Sequence, residues 1–277
     1  MPDIALPTGI IDYHDTGTGP PVVLVHGALV DAQLWRPLIE RLEATHRCIA
    51  PELPLGSHRR AMAPDADQTP HGVARLIGEL LEALDLRDVT LVGNDTGGGL
   101  AQLVALDHGE RVGRLVLTNC DAFETFPPKA FVPLFRLARI PGVLRALYQP
   151  MRLPAARRLP LAFGMLGRRL PDELTRGWVV PVLKDGGVRR DVARFLRGVK
   201  PSVLLDAGAR LPTLRIPVLV AWGTADPFFR LDLGRRIAAA VPGARLAEVA
   251  GSRTFVPQDA PDELARLVTD FSAAGAR

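Results

Sequence analysis

The sequence places its most suggestive chemistry in one short motif, Gly93-Asn94-Asp95-Thr96-Gly97. It lies between an apolar strand-like run at 89–92 and a helical run at 97–106. A reactive side chain with a small residue two positions before and two after it, at a strand-to-helix turn, is a nucleophile elbow. The turn is so tight that larger flanking residues would collide. It holds the central side chain in a strained conformation above the sheet. The N-terminal amides of the following helix then face any negative charge that develops there. A plain glycine-rich turn with Asp95 as helix N-cap is the alternative. The flanking elements favour the elbow.

Those elements alternate. Residues 10–14 read as a strand closed by the turn Gly17-Thr18-Gly19-Pro20. Residues 21–25 form a continuous apolar run, the pattern of a strand buried on both faces, with His26-Gly27-Ala28 at its carboxyl end. Strand signals recur at 47–50, 89–92, 115–118, 218–222 and 246–249. Helical spacing separates them at 34–42, 70–86, 97–106, 231–241 and 261–271. Residues 51–70 read as a loop, and 273–277 as a frayed tail. The alternation predicts a mostly parallel sheet covered on both faces, with ligands beyond the carboxyl ends of its strands. Residues 124–210 break the pattern: helical patches interrupted by prolines, without alternating strands. They read as a helical insertion.

Composition narrows the function classes. The chain has 277 residues, 47% of them hydrophobic and 23% charged, which excludes a disordered or collagen-like protein. No apolar run approaches the ~20 residues of a membrane span, and the first residues carry no signal-peptide pattern. A cytoplasmic protein without a membrane partner is expected. Cys48 and Cys120 are far apart and read as buried, reduced side chains. The net charge of +4 is unevenly spread. Residues 129–200 hold 16 basic and 4 acidic residues, so the rest of the chain is acidic. Aromatic and basic residues do not interleave as a stacking platform requires, so no nucleic-acid partner is expected. The arginines read as a solvated helical surface.

These features together resemble the α/β-hydrolase superfamily, and most of all its aspartate-nucleophile branch of haloalkane dehalogenases and epoxide hydrolases. The resemblance covers nearly the whole chain. It implies the α/β-hydrolase fold, with a core at 1–123 and 211–277 and a helical cap at 124–210. It implies Asp95 as nucleophile and the backbone N–H groups of Ala28 and Thr96 as the oxyanion hole. It places a triad acid at Asp226, in Gly223-Thr224-Ala225-Asp226, or at Asp121 after 115–118, where some dehalogenases have theirs. His26, Trp35, Tyr148 and Trp178 are the candidate substrate contacts, with His26 orienting its own loop. A small-molecule substrate is implied, with no cofactor and no metal. Three converging carboxylates could hold a cation, but no spacing motif supports one.

The departures are as informative. The branch carries a late histidine in a Gly-x-x-His-Phe segment; here the segment is Gly251-Ser252-Arg253-Thr254-Phe255, which puts Thr254 at that position. The last histidine in the chain is His108. His58, in the loop after 47–50, is a possible substitute, though it reads more readily as solvated; His71 and His108 read as helix-surface residues. An aspartate nucleophile is ionised at neutral pH, with a reference pKa of about 3.9, and attacks without a base. Discharge of its ester needs activated water, and loss of a general base costs on the order of 10²–10⁴ in rate. The halide-binding Trp after the nucleophile and the pair of epoxide-protonating tyrosines are also missing; Thr96 and a single cap tyrosine stand instead. The expected function is thus a hydrolase acting on a small, largely apolar molecule, with impaired water activation. A lyase, isomerase or cyclase using Asp95 as acid or base, and a silent binding protein, remain open alternatives.

Overall fold

The computed structural model describes residues 1–138, 140 and 142–274. Eight strands form one sheet: β1 (Asp3–Leu6), β2 (Gly9–Thr16), β3 (Pro21–Val25), β4 (Arg47–Pro51), β5 (Val89–Asp95), β6 (Val112–Cys120), β7 (Val218–Gly223) and β8 (Arg245–Val249). Their order is β1-β2-β4-β3-β5-β6-β7-β8. From β4 to β8 neighbouring strands run parallel; β1 and β2 join antiparallel. β1 is absent from the sequence reading, because four residues that alternate between exposed and half-buried leave almost no apolar signature.

The run in β3 is buried beyond its first residue, as its continuous apolar character requires. Helices α1 (Arg36–Leu42), α2 (Pro70–Ala83) and α3 (Thr96–Asp107) connect the first half. α2 starts where its cap dictates: the Thr69 side chain accepts from Gly72 N–H, and Pro70 fills the first turn. Its apolar stripe of Val73, Leu76, Ile77, Leu80 and Leu81 is buried. The chain winds from β3 outward to β4, then returns to the other side of β3 to lay down β5. That reversal opens a crevice at the carboxyl ends of β3 and β5.

Between β6 and β7 come α4 (Val132–Leu137), α5 (Val143–Tyr148), α6 (Pro154–Arg157), α7 (Asp172–Lys184), α8 (Gly186–Gly198) and α9 (Pro201–Arg210), with short tighter turns between them. After β7 follow α10 (Leu231–Ala240), α11 (Val256–Asp259) and α12 (Pro261–Ala274). α12 carries the chain through Ala273 and Ala274 instead of fraying there; 275–277 lie outside the described residues. No helix among the described residues is long and apolar enough to cross a membrane. Cys48 and Cys120 are buried and free.

Polar bonds sew the helices between β6 and β7 onto the sheet domain. Trp178 in α7 donates its indole N–H to Asp31 (2.8 Å), and its carbonyl accepts from the Ser57 hydroxyl (2.9 Å). Asp191 in α8 accepts from Met62 N–H (2.8 Å) and from Arg190 (2.9 Å). His58 meets the same carboxylate: Gly56 N–H donates to its Nδ1 (3.3 Å), leaving Nε2 to donate to Asp191 (3.4 Å). His58 is therefore buried rather than solvated, which corrects the expectation for this loop. Of residues 51–70, all but Pro51 in β4 and Pro70 in α2 are without helix or strand, yet 51–58 are all buried, because the helices above cover them. The arginine expectation also needs one correction. Arg157 is buried, bonded to Thr175, Asp172 and the carbonyls of Met151 and Arg152.

Burial opposes ionisation of Asp191, yet the bonds from His58, Met62 and Arg190 hold its pKa below the usual range. Replacing it by alanine strands a buried backbone N–H and a buried imidazole. Asp191→Ala should lower the unfolding free energy by about 2–4 kcal/mol. A shifted urea midpoint at unchanged slope is the expected result.

Candidate active site

Asp95 closes β5 and precedes α3 with φ 55° and ψ −132°. That backbone conformation is unfavourable for a residue with a side chain and costs on the order of 1–3 kcal/mol. Packing enforces it. A Cβ on Gly93 would stand 2.6 Å from the Gly98 Cα, and one on Gly97 would stand 2.7 Å from the His26 carbonyl carbon. The Asp95 carboxylate in turn presses against the space a Gly27 side chain would take. Small residues at 93, 97 and 27 thus let β3, β5 and α3 converge under one carboxylate.

His26 sits beneath this junction, fully buried. Leu53 N–H donates to its Nε2 (3.0 Å), so Nδ1–H is left to donate to the Gly27 carbonyl (2.9 Å). Burial lowers its pKa to about 4, so the ring is neutral. It braces the loop that carries Gly27 and Ala28 and does not line the cavity above.

That cavity holds about 370 Å³. Asp95, Thr96 and Ala28 form its floor. Its walls come from the helical segment between β6 and β7, among them Phe131, Leu134, Phe135, Tyr148, Met151 and Phe163. Asp95 is its only charged wall residue among those described, and no histidine lines it. Tyr148 is a wall residue whose burial keeps its phenol protonated. Trp35 and Trp178 stay outside the wall. Trp178 packs edge-on behind Phe163 at 5.1 Å between centroids, and Trp35 is fully buried. Of the two apolar runs in the insertion, 159–163 contributes Leu159, Leu161, Ala162 and Phe163 to the wall; Val179, Val182 and Leu183 of the other are packed in the interior.

The other two carboxylates stand behind the floor. Asp121 follows β6, fully buried, and accepts from the Thr96 hydroxyl at 3.1 Å; its second oxygen has no partner among the described residues. Asp226 follows β7 and accepts from Phe228 N–H (2.8 Å), Phe229 N–H (3.1 Å) and the Asn119 amide (2.9 Å). Thr254 is fully buried beside it. Its hydroxyl helps draw the Asp226 pKa down yet reaches hydrogen-bonding geometry with no described group. Its carbonyl accepts from the Asn94 amide (2.7 Å), which also donates to Thr118 (2.8 Å). The sequence reading passed over Asn94 and Asn119. Asn94 lies inside the elbow motif, so its position was a usable signal; Asn119 offered none.

Burial dominates all three acids. It raises Asp95 to about 7, against the Thr96 amide and helped by repulsion from Asp226. It raises Asp226 to about 6 against three hydrogen bonds and the nearby Thr254 hydroxyl. It raises Asp121 far above the ordinary range, with repulsion from Asp95 adding to it. No group of three or more His, Cys, Asp or Glu side chains takes a metal-holding arrangement among the described residues.

The model of the alpha/beta hydrolase family matches residues 22–267. The chain belongs to the alpha/beta hydrolase family. Among curated members, haloalkane dehalogenase 2 of Mycobacterium tuberculosis is 29% identical over 272 residues, 95% of this chain and 91% of that one. The 2-hydroxy-6-oxononadienedioate/2-hydroxy-6-oxononatrienedioate hydrolase of Paraburkholderia xenovorans is also 29% identical, over 95% and 90% of the two chains. Solved structures of an ancestral haloalkane dehalogenase (TM-score 0.81, 23% identity, 99% of each chain) and of a thermophilic esterase from Thermogutta terrifontis (0.80, 22%, 100% of each) share the fold.

An acid with a raised folded-state pKa binds its proton more tightly folded than unfolded. Asp95 therefore makes stability fall as pH rises from about 4, its unfolded pKa, to about 7. Asp95→Asn should remove that loss. It should stabilise the hydrolase-family chain by on the order of 2–4 kcal/mol at pH 7 and by little at pH 4. Denaturant titrations at the two pH values measure the difference.

Proposed function

We propose that this protein is a hydrolase of a small, largely apolar molecule, with Asp95 as its nucleophile and a handicapped water-activation step. One observation carries the reading: the strained Asp95 is the charged group on the floor of a roughly 370 Å³ cavity that is otherwise almost wholly apolar. Residues 124–210 act as a cap over that floor. An Asp95 oxygen attacks an electrophilic carbon of the substrate. The carbon's bond to its leaving group breaks, and the leaving group departs with the electron pair. An ester of Asp95 remains. Hydrolysis requires water to add to the Asp95 carboxyl carbon and give up a proton. The backbone N–H groups of Ala28 and Thr96 stabilise the oxyanion formed there.

The proton acceptor for that water is the weak point. Thr254, in the position the family resemblance gives to histidine, has no base to offer. Asp226 is held by Asn119 and two backbone amides as an orienting acid would be, with no imidazole to orient. Covalent capture should therefore outrun discharge. A second reading draws support from the Asp95 pKa of about 7, a value suited to proton transfer at neutral pH. In it, Asp95 is the acid or base of a lyase, isomerase or cyclase. If the cavity only holds its ligand, the protein is a silent binder.

Intact mass spectrometry after incubation with haloalkanes, epoxides and activated esters separates these readings. The expected result is a stable adduct, absent from Asp95→Ala, whose added mass is that of the substrate less its leaving group, or of the whole substrate for an epoxide. Its rate of formation should rise about tenfold per pH unit up to about pH 7 and then level, as the carboxylate ionises. Neither adduct nor turnover with any class would overturn the hydrolase reading. Thr254→His should speed ester discharge on the order of 10²–10⁴-fold, read as decay of the adduct.

A further inference from the structure

The helical segment over the cavity has a composition unlike the rest of the chain. Residues 129–169 contain nine basic residues and no Asp or Glu. The same stretch exposes apolar bulk. Six of the nine most exposed large hydrophobics among the described residues are Leu137, Ile140, Leu147, Leu153, Leu159 and Leu161, between 39% and 66% exposed. Single exposed leucines are ordinary, but a cluster of this kind marks a contact surface.

The two features meet at the cavity. Leu147, Leu159 and Leu161 are exposed and also line it, so they form its mouth. A second hollow of about 260 Å³, walled by Arg157, Arg158, Arg168, Arg169 and one acid, Asp172, shares Phe163 with the first. Arg158, Arg168 and Arg169 are exposed: Arg158 stands 3.9 Å from Asp172, the Arg168 guanidinium donates to the Gly251 carbonyl (3.3 Å) while its backbone N–H is held by Asp259 (2.7 Å), and the side chains of Arg168 and Arg169 meet no carboxylate among the described residues. The mouth of the apolar cavity is thus rimmed by leucines and flanked by exposed arginines that outnumber the single acid among them, Asp172.

We propose that this face docks on an anionic lipid bilayer surface and that the cavity mouth opens onto it. Leucines at the mouth enter the headgroup–acyl boundary, while the surrounding arginines meet lipid phosphates. The charge distribution orients the molecule, since the remainder of the chain is net acidic and is repelled by the same surface. A two-fold contact with a second copy is disfavoured, because it would set one basic segment without Asp or Glu against another. The sequence-based expectation of no membrane partner rested on the absence of a spanning segment; a surface contact needs none.

Co-sedimentation with vesicles tests this without reference to catalysis, so its outcome is separable from that of the Asp95 adduct experiment. The probes are phosphatidylcholine vesicles and vesicles carrying about a third phosphatidylglycerol. Binding should be strong to the second, weak to the first, and lost in high salt. Leu153→Ser/Leu159→Ser/Leu161→Ser and, separately, Arg152→Gln/Arg158→Gln/Arg168→Gln/Arg169→Gln should each weaken it on the order of tenfold or more. Unchanged circular dichroism confirms that both variants are folded. Equal binding to neutral and anionic vesicles overturns the proposal, as does binding to neither. Self-association abolished by these substitutions, without vesicle binding, identifies a self-contact and also overturns it.

Discussion

Three carboxylates buried side by side at the ends of adjacent strands set the terms for the rest of this molecule. Asp95 ends β5, Asp121 follows β6 and Asp226 follows β7. The groups that act on them are amides, hydroxyls and one another; none is a cation. Desolvation without a counter-charge favours the protonated forms. The fold meets this cost with donors where it can: two amides and Asn119 at Asp226, and the Thr96 hydroxyl at Asp121. Of the three, Asp95 alone lines the apolar cavity, and its backbone is strained as well. A parallel sheet buried on both faces supplies the rigidity that holds such a group in place.

The same tension appears a second time, beside the loop that follows β4. Burial raises Glu52 to about 8 and Asp31 to about 6. Glu52 has no hydrogen-bond partner for either oxygen among the described residues, whereas Asp31 spends one oxygen on Trp178 and Gln33. The bond that fastens α7 to the sheet domain therefore ends on a carboxylate next to another buried acid. Attachment of the upper helices and the acidity of this corner are physically linked.

Much of this was legible in the sequence, for reasons that differ by element. The strands β3, β5, β6 and β7 announce themselves because burial on both faces demands unbroken apolar runs. The elbow is legible because steric limits at 93 and 97 admit only small residues. The helical insertion shows in its prolines and in the loss of alternation. β1 was missed because an edge strand of four residues has no such demand on it. His58 was misjudged because its burial depends on α8, more than a hundred residues downstream. The cavity wall was the least legible part: Phe131, Leu134 and Met151 have the same composition whether they face a ligand or another helix. Roles resting on the family resemblance, such as those of Thr254 and Asp226, gain a physical setting here in the shape of an orphaned hydroxyl and a well-held acid.

Trp178 has a consequence of a different kind. Its ring leans on Phe163, a wall residue, while its indole N–H is tied to Asp31 and its other edge meets Phe255 at 5.6 Å. The other two tryptophans, Trp35 and Trp222, are fully buried and outside the cavity wall. The indole is thus fixed at one end and open to disturbance at the other, one aromatic ring away from any occupant. The molecule carries its own optical gauge: displacement of Phe163 by a guest changes the surroundings of one fluorophore and leaves two others silent.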